Sequence, residues 1–258
     1  MAMSWKKIAF AVLLLSALAG AVIPIVQAQA PAVDPAAVQI LKRMTDYRAG
    51  LQHFSVHSDN TLEDQLDSGQ RVDFGFSAKV TLSRPDKLHA ARVGGLEDQE
   101  LIYDGKTVTM FNPSDGVYAR KEITTTVPQM IDYLREELGV MLPGSDLIYP
   151  NAFDLIMSGA TAATVVGKSA IAGTVCHHLA FSRPDVDVQV WVAEGDRPLP
   201  CKYVVTDKST PELISTVTVW SEWEVDSAPP DSEFDFVAPA GAQAITFMPP
   251  VTTGDAGQ

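Results

Sequence analysis

LIYDGKTVTMFNPSDGVYA, residues Leu101 to Ala119, packs three short apolar-rich runs and two turn signals into one stretch. Asp104-Gly105 separates the first two runs. A type I′ turn, with positive φ at both central residues, is the hairpin expected there. Asn112-Pro113-Ser114-Asp115-Gly116 provides side-chain acceptors and a glycine for a second turn before Val117. The stretch therefore predicts an antiparallel meander, and the rest of the chain must extend its sheet or cover one of its faces.

Working outward, the run before the meander alternates most cleanly. Phe74, Phe76, Ala78, Val80 and Leu82 fall on one face, and Asp73, Ser77, Lys79, Thr81 and Ser83 on the other. Phe54, Val56 and Leu62 hint at an earlier strand, and Leu88 to Val93 follows the Arg84-Pro85 turn. Further upstream, Asp34-Pro35 is a helix start. Ile40, Met44, Tyr47 and Leu51 recur at helical spacing, and Gly50 is a stop signal. Downstream the β pattern breaks. Met130, Ile131, Leu134 and Leu138 predict a second helix, Pro143-Gly144 breaks it, and Phe153 to Met157 predicts a short third. Strands then resume at Thr161–Lys168, Gly173–Ser182, Val186–Ala193, Leu199–Thr206 and Ser215–Val225. In the last, Val217, Val219, Trp223 and Val225 are expected to share a face.

The fold class that places every apolar stripe is mainly β with helices, α+β. It is an open antiparallel half-barrel of about 11 strands, because twist accumulates in so large a sheet. Its concave face is covered by the N-terminal helix and the central helical insert. Residues 1–28 read as a signal peptide, with Lys6 and Lys7 before an apolar run and Val26-Gln27-Ala28 at the cleavage position. Cleavage is expected after Ala28, with Ala30 as a second position that fits. Residues 29–249 form one domain, and 250–258 a polar tail.

The net charge of −13 becomes −15 once Lys6 and Lys7 are removed. Such an acidic field repels phosphate backbones and anionic bilayers, so nucleic acid is excluded as a partner and membrane contact is at most transient. Nucleophile elbows, zinc-protease helices, phosphate loops and dinucleotide fingerprints are absent. No enzyme, no cofactor and no metal site is expected. His177-His178 cannot chelate one ion from a strand, whose neighbouring side chains point to opposite faces. Cys176 and Cys201 are expected to stay unpaired. A hairpin centred on Pro184-Asp185 leaves a whole strand between them, roughly 10 Å, and alternation puts them on opposite faces.

The binding candidates follow from the concave face. Phe74, Phe76, Val80 and Leu82 would form the wall and Met130 and Leu134 the lid. His177 is a polar group among Val175, Leu179 and Phe181, and Trp223 lies on the final strand.

Tyr103-Asp104-Gly105-Lys106-Thr107-Val108, the Asn112-Pro113 turn, Gly195-Asp196-Arg197-Pro198-Leu199-Pro200 with Lys202, and Phe234-Asp235-Phe236 with Pro239 and Gly241 together resemble an uncharacterised bacterial family of predicted periplasmic proteins. That family is similar to the LolA/LolB-like lipoprotein carriers and to related sigma-factor regulators. The resemblance implies a periplasmic protein with an open barrel of about eleven strands, plugged by helices, and hydrophobic-ligand binding beneath them. The expected protein is a monomer that binds a lipid, a lipoprotein acyl chain or another hydrophobic ligand. The alternative is a protein-interaction or envelope-signalling module with a packed interior, in contact with an envelope protein.

Overall fold

The computed structural model describes residues 33–94, 98–140 and 142–247. The signal peptide and the polar tail read from the sequence lie outside them. The helix α1 (Pro35–Gly50) comes first, followed by six strands in meander order: β1 (His53–Gln65), β2 (Arg71–Ser83), β3 (Lys87–Val93), β4 (Gln99–Tyr103), β5 (Thr107–Asn112) and β6 (Val117–Glu122). The helices α2 (Val127–Leu138) and α3 (Ala152–Met157) interrupt the sheet, with a 3₁₀ turn at Ser145–Ile148 between them. Strands β7 (Ala162–Ile171), β8 (Thr174–Ser182), β9 (Val186–Ala193), β10 (Pro200–Asp207) and β11 (Ser215–Glu224) follow, and a short β12 (Gln243–Ile245) closes the chain.

All twelve belong to one sheet, ordered β12-β6-β5-β4-β3-β2-β1-β11-β10-β9-β8-β7. Its two ends, β12 and β7, do not meet, so the sheet is open, as the α+β half-barrel reading requires. Every pairing is antiparallel except β12 on β6. The long pairing of β1 with β11 joins the two halves of the chain across the middle of the sheet.

The meander forms where expected, but its first turn differs. Tyr103 pairs with Val108, which centres the hairpin on Gly105-Lys106. Gly105 alone has positive φ, at 91°, the pattern of a type II′ turn. Asp104 flanks the turn and caps it, its Oδ1 accepting from the Lys106 and Thr107 amides at 2.8 and 2.7 Å. Positive φ at both turn residues occurs instead at Ala172-Gly173, between β7 and β8.

The helices cover one face of the sheet. Asp34 caps α1 by accepting from the Ala36 amide at 2.8 Å, with Pro35 in the first turn. The helix packs against β7, β8, β9 and α3. Its buried positions are Ala37, Leu41, Met44, Thr45 and Arg48. The stripe expected at Ile40, Met44 and Tyr47 is thus displaced around the helix, and a charged residue occupies the inner face. On α2, Val127, Met130, Ile131 and Leu134 are buried with Leu82, Leu88, Leu101, Tyr103 and Val108 in one core. Tyr103 ties that helix to the meander: its hydroxyl donates to the Thr125 carbonyl at 2.7 Å and accepts from the Thr125 amide at 2.9 Å.

Two β-bulges correct the sequence reading. Pro200 pairs with Val192 and Lys202 with Trp191, so Cys201 is an extra residue in β10. The bulge turns Cys201 to the outer face, beside Trp191 and Val204, where it forms a disulfide with Cys176 across a Cα–Cα distance of 6.9 Å. The expectation of two unpaired thiols is therefore wrong, because it assumed the full two-strand spacing of roughly 10 Å and regular alternation through residue 201, and the bulge removes both. The second bulge lies in β11. Ser55 pairs with Glu224 and His57 with Ser221, and Glu222 takes φ 55°. Trp223 consequently shares the inner face with Trp220, not with Val217 and Val219.

The closing Phe234-Asp235-Phe236 motif packs against the opposite side of the meander. Phe234 is buried, Phe236 lies 5.6 Å from the Phe111 ring and 5.2 Å from Tyr118, and Glu233 meets His89 Nδ1 at 3.2 Å.

Candidate functional site

The inner face of β1 to β4 is built in rows set by register. Phe54, Leu82, Leu88 and Tyr103 lie side by side in the first row, and Val56, Val80, Ala90 and Leu101 in the second. The third row turns polar, with Ser58, Ala78, Arg92 and Gln99, and the fourth carries Asn60 beside Phe76. Along β2 to β4 exposure rises in the same order, from a first row that is buried throughout to Ala78, Arg92, Gln99 and Phe76, which are partly exposed, while Ser58 and Asn60 on β1 stay buried.

Between these rows and the segment linking α2 to α3 lies a cavity of about 110 Å³. Its apolar lining includes Phe54, Val56, Val80, Ala90, Leu101, Ile131, Trp220 and Trp223. The two tryptophans reach it together because of the β11 bulge. Phe54 packs on Trp223 with ring centroids 5.3 Å apart. The linking segment is held down on both sides. Arg135 donates to the Ser145 hydroxyl at 3.0 Å, and Tyr149 donates to Asp132. Gly144, at φ 73°, fits so closely that a Cβ there would stand 2.8 Å from the Trp220 ring.

The polar groups of the cavity fall into two sets. Toward the open end, Thr218 donates to Asn60 at 2.9 Å and Asn60 to the Ser58 hydroxyl at 3.0 Å. Arg92 lies over the Phe76 ring at 5.6 Å, and its buried Nε has no partner. At the closed end stands Arg48, 1% exposed. One of its terminal nitrogens donates to the Tyr149 carbonyl at 3.4 Å, and its buried Nε has no partner. Burial, with the adjacent Arg84 charge adding, lowers the Arg48 pKa to about 9, so it remains charged at neutral pH. Arg84 is lowered by burial too, and its donors go to the carbonyls of Leu51 and Ile148, each at 3.1 Å. Among the described residues no acidic side chain forms an ion pair with Arg48, Arg84 or Arg92.

Of the residues singled out from the sequence, Phe76, Val80 and Trp223 line this cavity. Leu82 sits beside it in the first row, fully buried. Met130 and Leu134 are fully buried core on α2, whereas Ile131 supplies the lining contact. Phe74 shares the face but pairs with Leu62, one step beyond Phe76. His177 lies apart, at the β8 end, 3.4 Å from Glu194. Apolar periodicity did not find Arg48, Ser58, Asn60, Arg92 or Gln99. Their signal was positional: each shares a strand or helix face with residues that it did find.

Among the described residues no three His, Cys, Asp or Glu side chains are grouped to hold a metal ion, and no helix is long and apolar enough to cross a membrane.

The sequence profile of a family described as predicted periplasmic proteins (DUF2092) matches residues 37–248. No curated protein matches the chain. Solved structures with a similar chain path include LprF from Mycobacterium bovis, at 16% identity and a TM-score of 0.49, covering 78% of this chain and 98% of that one. An uncharacterised conserved protein from Thermus thermophilus gives 11% and 0.47, covering 82% and 99%. A LolA superfamily protein from Nitrosomonas europaea gives 13% and 0.41, covering 78% and 97%.

Proposed function

The chain belongs to the DUF2092 family of predicted periplasmic proteins, and from that premise we propose that it is a periplasmic carrier or sensor that holds a lipid, an acyl chain or another hydrophobic ligand. The ligand would lie between the inner face of β1–β4 and the helical cover. The signal peptide would be removed after Ala28 on export. The observation that carries the proposal is the cavity, whose walls are aliphatic and aromatic side chains from β1, β2, β3, β4, β11 and α2. Mostly apolar, concave sites with a few placed polar groups are the usual form of small-molecule pockets. Wild-type proteins also keep few voids of this kind, since an unfilled void forfeits dispersion contacts.

Native mass spectrometry of protein released gently from the periplasm tests the reading, together with titration by a neutral fluorophore that brightens in apolar surroundings. A co-purifying apolar ligand and saturable probe binding are expected. Protein that is consistently ligand-free and binds no probe would sink it, and would favour a packed protein-interaction module instead.

A further inference from the structure

Arg48 is in a position that a purely apolar cargo does not explain. The chain carries 32 acidic residues against 19 basic ones, yet the guanidinium at the closed end of the cavity has no carboxylate partner among the described residues and a second guanidinium, Arg84, as its neighbour. A buried charge left unpaired is among the most costly arrangements in a protein, and here an acid on any adjoining element would relieve it. Among the described residues the acceptors supplied to the pair are the backbone carbonyls of Leu51, Ile148 and Tyr149. The Arg48 Nε keeps a free donor, and the residue lines the cavity. A guanidinium fork matches a carboxylate better than any neutral group.

We propose that the cavity takes a single-chain amphiphile with a carboxylate head, held head-first against Arg48 with its chain running past Val56, Val80 and Trp220 toward Arg92. The proposal rests on the carrier reading and narrows it. The cavity volume is about 110 Å³. That is below the roughly 150 Å³ that encloses one benzene ring, so the cavity admits one chain and not two, with the carbons nearest the head enclosed and the rest of the chain running out through the open end.

The test uses the mature chain at neutral pH with N-phenylnaphthylamine as the neutral bound probe. Decanoate, decanol and decyltrimethylammonium are the competitors. Decanoate should displace the probe at a concentration at least about tenfold lower than decanol, the scale of one charge-assisted hydrogen bond. Arg48→Met should erase that preference. Decanol competing as well as decanoate overturns this inference and leaves the carrier reading standing. Failure of the probe to bind at all overturns both. Preference lost in Arg92→Gln but kept in Arg48→Met places the head at the open end and also refutes the proposal. Should Arg48→Met not fold, the wild type still decides. The carboxyl of labelled decanoate, titrated by NMR while bound, must have its pKa depressed below the free acid's, whereas a tail-first pose leaves it unchanged or raised.

Discussion

Filling the cavity from its own wall separates a ligand site from an ordinary core. Ala90 on β3 is the position of choice, since it lines the cavity and its register neighbours on either side are Val80 and Leu101. Ala90→Leu adds three carbons to the space. At about 0.8 kcal/mol per buried methylene, their transfer contributes about 2.4 kcal/mol. Rotamer entropy returns about 0.5–1 kcal/mol of that. The net expectation is a gain of about 1.5 kcal/mol, or a melting temperature higher by about 3–6 °C for a domain of this size. Binding of the neutral probe should fall in the same variant, because the leucine occupies the space the probe needs. Urea unfolding followed by tryptophan fluorescence gives the first quantity and probe titration the second. In a tightly packed interior the same leucine forces neighbours off their rotamers and costs about 1–3 kcal/mol. A destabilised variant with unaltered probe binding therefore refutes the reasoning, since it would show that the space is neither empty nor used.

Three further outcomes follow from the fold. Replacing Cys176 and Cys201 by serine opens a loop of sequence separation 25, and the chain-entropy relation puts the loss near about 3.5 kcal/mol; urea midpoints that agree for the variant and the wild type would contradict it. Tyr103→Phe removes the hydroxyl that bonds both the carbonyl and the amide of Thr125, which should cost about 1–3 kcal/mol and speed hydrogen exchange at the start of α2. Exchange unchanged there would count against the tether. Asp187 accepts from Lys208 and Ser182; burial alone would raise its pKa, but those bonds prevail and hold it below the usual carboxylate range. Its folded pKa lies below its unfolded one, so the pair's stabilisation is present above the unfolded value of about 3.9 and is lost as pH falls through the folded value. Lys208→Met should therefore be less stable than wild type at neutral pH and converge with it in acid. A difference that persists unchanged to the lowest pH rules this out.

Most of the strands and the helical cover were legible because they rest on apolar stripes of period two and of helical period, and a stripe such as Phe74 to Leu82 survives in the structure as one wall of the inner face, whereas the long-range pairing of β1 with β11 leaves no local pattern. The hairpin pairing His177 with Val192, Leu179 with Val190 and Phe181 with Val188 was legible for the same reason. On α1 the period was read correctly but the phase was not. Leu41, Met44 and Arg48 recur at helical spacing just as Ile40, Met44 and Tyr47 do, and nothing in the pattern favours burying an arginine over a tyrosine before the surroundings are known.

The two errors of consequence share one physical cause. Alternation assigns a face by counting residues, and a bulge inserts a residue that the count cannot see. Counting through β10 sent Cys201 to the inner face, yet residue 201 is itself the insertion, and its side chain joins Cys176 outside. Counting through β11 grouped Trp223 with Val217, yet the insertion at Glu222 brings Trp223 back beside Trp220. The β10 bulge places the disulfide on the outer face, opposite the side on which the helices pack. The β11 bulge puts a second indole on the cavity wall, where a regular strand would have had room for one. Of the two, only the β11 bulge reaches the cavity, and a periodic reading is blindest there because the candidate site departs from the regular scaffold that supports it.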